Sequence, residues 1–449
     1  MASTPNTTND RRVVITGVGL ISPIGDSADA LWESLVAGRS GVAASDRFPQ
    51  DATSPRFAAE AHTFSGKIDD FGPLTKETKK AIRKGLKLMC RETQMAVAAA
   101  QLALTDAGYG AEDAAPDPER SGVVLGSDYM LTLPQDFVGG MAKCTENGPF
   151  SLDIWGEEGL DEVEPLWMLK YLPNMPASHI AIFNDLRGPN NSLTMREASG
   201  LMAVGEALRT IARGHADRMV AGATGTRIMP MQAIHTLQSD RLALGDIDPV
   251  KASRPFDTNA AGMVCGEGAG MLVLETLESA QARGAEVYGE VVGFGSSQVS
   301  THNPETNQLV GRNDVAIAQA LKAALRDADW TADRLGHVNA HGIGAPDADR
   351  QEAEGLRAAL GDAAGATPVF APKSYFGNLG AGGGVVELVA SLLATRHGEL
   401  PRTLNCEDPS ADCPIRVATE GGVAPGDRFA TVNTTPQGQA AAVCVAQTG

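Results

Sequence analysis

Basic charge is scarce in this chain. Its 449 residues carry 37 Lys and Arg against 55 Asp and Glu, a formal net charge of −18. Nucleic acid and anionic membrane surfaces both require a basic face, so neither is expected as a main partner. Cysteine is scarce too. Cys90, Cys144, Cys265, Cys406, Cys413 and Cys444 show neither the paired spacing of a zinc site nor the density of a disulfide scaffold. Reduced thiols and no metal are expected. No run reaches the roughly eighteen to twenty apolar residues that span a bilayer, and the first twelve residues hold no apolar core of a secretion signal. A soluble, cytoplasmic protein is the expectation. Nucleotide-binding signatures are missing as well: Gly17-Val-Gly-Leu-Ile-Ser lacks the third glycine of a dinucleotide fingerprint, and Gly377 to Gly384 lacks the lysine of a phosphate loop. No cofactor is expected.

What is present is alternation of strand-like and helical segments, which points to α/β architecture. Val13-Val-Ile-Thr-Gly, Gly122-Val-Val-Leu-Gly, Arg218-Met-Val-Ala-Gly and Gly270-Met-Leu-Val-Leu-Glu read as strands of a sheet covered on both faces. Gly289-Glu-Val-Val-Gly-Phe-Gly, His337-Val-Asn-Ala, Val369-Phe-Ala-Pro and Phe429-Ala-Thr-Val-Asn repeat the idea. No low-complexity linker separates these sets, so two fused halves are expected, residues 1–275 and 276–449.

The segment Gly188-Pro-Asn-Asn-Ser-Leu-Thr-Met-Arg-Glu-Ala-Ser-Gly200 reads as a catalytic elbow. Ser192 to Met195 is predicted as a short buried strand, and a helix of small residues opens at Ala198. The turn residue exposed between them, at a helix N-terminus that favours an anion, is predicted to be Glu197. A second strand, polar turn and Gly/Ala-rich helix lie between Val369 and Leu392 and echo the first.

Two surface features stand out. Lys80, Arg83, Lys84, Lys87 and Arg91 recur at three- and four-residue steps, so a helix would gather them into one basic stripe. That stripe is either a solvated face or a dock for an acidic partner. Residues 147–173 combine five acids between Glu157 and Glu164 with Trp155, Trp167 and Tyr171. They read as a surface-loop insertion or as a cap over a partner or substrate.

Six ordered motifs carry a family resemblance. Arg11-Arg-Val-Val-Ile-Thr-Gly-Val-Gly-Leu-Ile-Ser-Pro-Ile-Gly25 resembles the opening strand and turn of the β-ketoacyl-ACP synthases, especially the type II elongation enzymes. Ala216-Asp-Arg-Met-Val-Ala-Gly-Ala, Ser253-Arg-Pro-Phe-Asp, Gly266-Glu-Gly-Ala-Gly-Met-Leu-Val-Leu-Glu275, Val338-Asn-Ala-His-Gly342 and Pro372-Lys-Ser extend it. The resemblance implies a thiolase fold, duplicated halves in a five-layer αβαβα arrangement. It also implies action on acyl and malonyl groups held by acyl carrier protein, in fatty-acid or polyketide-type chain assembly. The subunit would be a homodimer, or a heterodimer with an active ketosynthase. An acidic carrier would suit the stripe at Lys80, Arg83, Lys84 and Lys87.

In that family the elbow holds a cysteine that takes the acyl chain as a thioester, and an ungapped count puts this cysteine at Glu197. Of the two family histidines that serve malonyl decarboxylation, the first matches His341 and the second falls on Asn378. Lys373 and Glu387 match positions that support the histidines. The glycine-rich closing loop with its gating phenylalanine falls in Asn433-Thr-Thr-Pro-Gln-Gly-Gln-Ala-Ala, where Thr434, Thr435 and Gln437 are expected to face substrate and Pro436-Gln437 replace the flexible and aromatic elements.

Three roles for Glu197 follow. It is a weak carboxylate nucleophile, an acid-base group beside His341 and Lys373, or a buried partner of Lys373 in a chain-length-factor-like subunit without turnover. Loss of the cysteine, one histidine and the gating loop together favours the third. Cys265 reads as an apolar position leading a strand and not as a displaced nucleophile.

Overall fold

A computed structural model describes residues 11–48, 54–109, 117–146, 148–305 and 307–448. Residues 1–10, including most of the segment read for a secretion signal, and Asn147 lie outside them. Eleven strands form the main sheet: β1 (Val13–Ile21), β2 (Ser121–Ser127), β3 (Asn190–Leu193), β4 (Arg218–Thr226), β5 (Glu267–Thr276), β6 (Gly289–Gln298), β7 (His337–Asn339), β8 (Pro368–Phe370), β9 (Arg416–Val417), β10 (Arg428–Thr434) and β11 (Gln439–Ala446). The first five run in the order β3-β2-β4-β5-β1, with β1, β5 and β4 successively antiparallel and β4, β2 and β3 parallel. The order β8-β7-β10-β11-β6 repeats both the sequence of strands and their directions. A two-residue pairing, Val14 with Glu290 and Ile15 with Gly289, joins the two sets. That repetition is the duplication of the thiolase fold.

Helices cover and separate the two sets. The helices named are α1 (Lys76–Gly85), α2 (Arg91–Asp106), α3 (Ser199–Ala212), α4 (Asn313–Asp327), α5 (Pro346–Leu360) and α6 (Gly383–His397). One hydrophobic cluster lies under α2, with Met95, Val97 and Leu104 against Val123, Val220 and Met271. Another lies under α4 and α5, with Ile317, Leu321 and Leu356 against Val338, Val369 and Val432. The largest cluster is central, where Leu201, Val204 and Leu208 of α3 meet Val385, Val389 and Leu392 of α6. The sequence explains the order of layers. α4 buries one apolar face and exposes a polar one, whereas α2 is buried along most of its length and α6 from Gly383 to Thr395, with Glu387, Ser391 and Thr395 among its buried side chains.

Two expectations change here, and a third segment gains a description. The strand before the elbow is Asn190–Leu193, exposed or half-buried at the sheet edge and not buried, because β2 is its one neighbour in the sheet. The basic stripe stops at Lys87: α1 ends at Gly85, a 3-10 turn follows, and Arg91 turns inward to pair with Glu267 at 2.5 Å. Residues 148–173 fold into short helical turns, with Phe137 tilted against Trp155 and edge-on to Trp167. Lys170 and Tyr171 wall a surface cavity there with Lys87, Glu92 and Gln232, while the five acids remain outside it. All six cysteines are free. Among the described residues no helix is long and apolar enough to cross a membrane.

Candidate active site at the elbow

The elbow is built by close packing. A Cβ on Gly126 of β2 would lie 2.6 Å from Ser199 Cβ, so only glycine lets the start of α3 rest on this strand. Met195 N–H donates to Ser199 Oγ at 2.7 Å, and a 3-10 turn, Arg196–Ala198, then leads into α3. Arg196 has φ 49°, the left-handed region that costs a side-chain-bearing residue about 1 kcal/mol or more. The strain is held by two ion pairs, to Asp240 at 3.1 Å and to Glu197 at 3.3 Å.

Glu197 is 2% exposed, not displayed at the turn. Its Oε1 accepts from Arg227 Nη2 at 2.7 Å and from Asn378 Nδ2 at 3.1 Å. Burial alone would raise the carboxyl, but the charges of Arg196 and Arg227 outweigh it and hold the group well below the usual carboxylate range. Arg227, with no exposed side-chain surface, also pairs with Asp128 at 2.8 Å and donates to Tyr129 Oη at 3.3 Å. Tyr129 in turn contacts His235. The expected ion pair of Glu197 with Lys373 is not formed, because two arginines neutralise the carboxylate and Lys373 has its own acid.

That acid is Glu387, 2.5 Å from Lys373 Nζ. Lys373 also donates to His341 Nδ1 at 3.2 Å, which assigns the ring proton of the neutral imidazole to Nε2. Burial and the Lys373 charge push the His341 pKa well below its ordinary value, so the ring remains neutral. Asn433 of β10 donates to Glu387 at 2.8 Å, and a Cβ on Gly384 would fall 2.0 Å from Asn433 Oδ1. Glycine at 384 therefore admits that bond. Asn378 is placed by backbone pairing with Cys265 and by accepting from Gly380 N–H at 3.0 Å.

The loop carrying His341 hangs on two buried acids of α5. Glu352 accepts from the N–H groups of His341 and Gly342 at 2.6 and 2.7 Å, and Asp349 accepts from Phe256, Ile343 and Gly344. Burial raises Asp349 to about 7 and Glu352 to about 8, against those same N–H groups. Both pKa values lie above the unfolded ones, so the folded state binds the extra protons. Their contribution is full below the unfolded carboxylate range and is lost as pH rises through about 7 to 8. The part of the stability that Glu352 supplies, read by chemical denaturation as the difference between the parent and Glu352→Gln, should therefore fall from about pH 5 to about pH 9.

Beside His341 lies a cavity of about 230 Å³, bounded by Thr434, Thr435, Pro436, Ile343 and Asp240. Thr434 and Thr435 thus face it, while Gln437 does not line it; its carbonyl instead accepts from Gln298. The closing segment is a tight turn, Thr435 to Gly438, between β10 and β11. Glu197, His341, Lys373, Asn378 and Glu387 are brought together where the two halves meet. Lys80, Arg83, Lys84 and Lys87 are exposed and, among the described residues, form no ion pair. Cys265 is 2% exposed and its thiol is pushed up to about 12 by burial, an inert position. Among the described residues no group of His, Cys, Asp and Glu is arranged to hold a metal ion.

Sequence reasoning missed Arg196, Arg227, Asp128 and Asp240. A signal for Arg227 was available, a lone cation in the otherwise uncharged run Met219 to Thr236.

The β-ketoacyl synthase N-terminal domain matches residues 10–280 and the C-terminal domain residues 288–407. The 3-oxoacyl-(acyl-carrier-protein) synthase 2 of Vibrio cholerae is 35% identical over 401 residues, 89% of each chain. The tetracenomycin polyketide synthase ketoacyl synthase alpha subunit of Streptomyces glaucescens is 33% identical over 90% of each. Among solved structures, a β-ketoacyl synthase from Burkholderia phymatum superimposes with TM-score 0.81 at 27% identity, covering 98% of this chain and all of that one. The ishigamide ketosynthase/chain length factor does so with TM-score 0.79 at 27% identity and the same coverage. Matched domains in both halves, and relatives above 30% identity across nine-tenths of its length, place this chain in the β-ketoacyl synthase family.

Proposed function

We propose that this chain serves fatty-acid or polyketide-type assembly on acyl carrier protein as the non-condensing, chain-length-factor-like partner of an active ketosynthase. One observation carries the reading: Glu197, which the family resemblance sets at the nucleophile position, is a buried carboxylate locked between two arginines. Condensation needs a nucleophile free to bond the acyl carbon and a group that moves a proton near neutral pH. Glu197 is neither, because leaving its arginines would strand buried charge, and a carboxylate held below its usual range is a poor base. His341 offers an N–H donor from a neutral ring, and Asn378 in the second histidine position has no titrating proton. The cavity of about 230 Å³ beside His341, with Val310, Ile343 and Pro436 in its wall, offers room for part of an acyl group presented by the carrier without a bond to the chain. A cytoplasmic location goes with this role.

The test is incubation of the purified chain with malonyl- and acyl-ACP, alone and with a co-purifying ketosynthase, following carbon dioxide and intact mass. No release and no adduct by the chain alone, with a complex that changes the partner's product length, is the expected result. Release by the chain alone that vanishes in Glu197→Ala overturns it in favour of a malonyl decarboxylase.

The exposed face of Lys80, Arg83, Lys84 and Lys87 supports carrier docking, since among the described residues it is a basic island without ion pairs, on a chain of net charge −18. Reversing all four to glutamate should weaken carrier binding by about tenfold or more at low salt and remove most of its salt dependence. Unchanged binding would show that the carrier docks elsewhere.

A further inference from the structure

We propose that Arg196, Arg227 and Asn378 form a preorganised carboxylate receptor and that Glu197 is its resident ligand. Four contacts converge on the Glu197 carboxylate: Oε1 meets Arg227 Nη2 at 2.7 Å, Asn378 Nδ2 at 3.1 Å and Arg196 Nη2 at 3.5 Å, and Oε2 meets Arg196 Nε at 3.3 Å. The donors come from three separate places, the elbow, the end of β4 and the turn after Lys373–Phe376.

Each donor is also anchored without Glu197. Arg227 is held by Asp128 at 2.8 Å and by Tyr129 at 3.3 Å, and Arg196 by Asp240 at 3.1 Å. Asn378 is fixed through its backbone to Val264 and Gly266 and through its side-chain oxygen to Gly380. Donors held by independent anchors persist when the acid is removed, so they leave a buried polar site shaped for a carboxylate and not merely a void. Charge-assisted bonds to such donors in a buried setting are the strong ones, and a small carboxylate replaces the end of the glutamate side chain atom for atom. This rests on Glu197 being a structural counter-ion. It adds that the elbow is occupied from within, so that no acyl group can rest where the family holds one.

Thermal melting of Glu197→Ala in sodium formate or acetate, against equal sodium chloride, tests the receptor. The variant should melt several degrees below the parent in chloride and regain several degrees in formate, while the parent gains nothing beyond the salt effect. Adding Asn378→Leu should remove most of the regain. Equal action of formate and chloride on Glu197→Ala overturns the proposal, as does an equal gain by the parent. Should the variant be recovered only unfolded, refolding from urea replaces melting. Higher recovery in formate than in chloride then supports the receptor, and equal recovery overturns it. Turnover assays decide the non-condensing role separately, since they do not depend on how the variant melts in different anions.

Discussion

Arg227→Met is expected to lower stability by about 3–5 kcal/mol, the largest loss of any single change in the site. Arg227 has no exposed side-chain surface and separates two buried carboxylates, Asp128 and Glu197, each within 2.8 Å of the same guanidinium nitrogen. Removing it leaves like charges facing one another in a dry environment, where each raises the other's pKa. Adding Glu197→Gln should recover a share of the loss, because one of the stranded charges is gone. The double-mutant cycle, read by chemical denaturation, should show coupling of about 1–3 kcal/mol. Strict additivity would mean that the two residues do not act as a pair.

Glu197→Cys should restore a nucleophile and leave condensation absent. A thiol placed beside Arg196 and Arg227 would ionise below its ordinary range, since the cations that depress the carboxyl would depress the thiol too. Intact mass after incubation with acyl-ACP should therefore show an acyl adduct on the variant and none on the parent. Carbon–carbon bond formation should still be missing under the proposed role, because Asn378, which the family resemblance sets at the second histidine position, cannot carry a proton. A condensed product from Glu197→Cys alone would show that the cysteine was the one element lost. Failure of the variant to take an adduct, while folded, would show that the acyl group cannot reach the elbow.

The architecture was legible because strand and helix signals are local. Short apolar runs marked eight strands, those of the first half by β-branched content and glycine borders, and repeated strand-turn-helix units marked the duplication. The edge position of β3 was not legible, since Asn190–Leu193 becomes an edge by topology and not by composition. The site divided in the same way. Motif counting singled out Glu197, His341, Lys373, Asn378 and Glu387, and the fold brings these five side chains together. It could not assign partners, because pairing depends on which cation is nearest in space: Lys373 is taken by Glu387, and Arg227 reaches Glu197 from 30 positions away. Arg91 shows the same limit, with helical spacing placing it on the basic stripe and a break after α1 turning it inward to Glu267.

The proposed non-condensing role makes the elbow of this chain a closed ion-pair site and not a catalytic centre. Carbon dioxide release from malonyl-ACP by the purified chain alone, compared between the parent and Glu197→Ala, tests it most directly. Background release from both, with intact mass unchanged by acyl-ACP, is the predicted result. Release by the parent that is abolished in folded Glu197→Ala would contradict it.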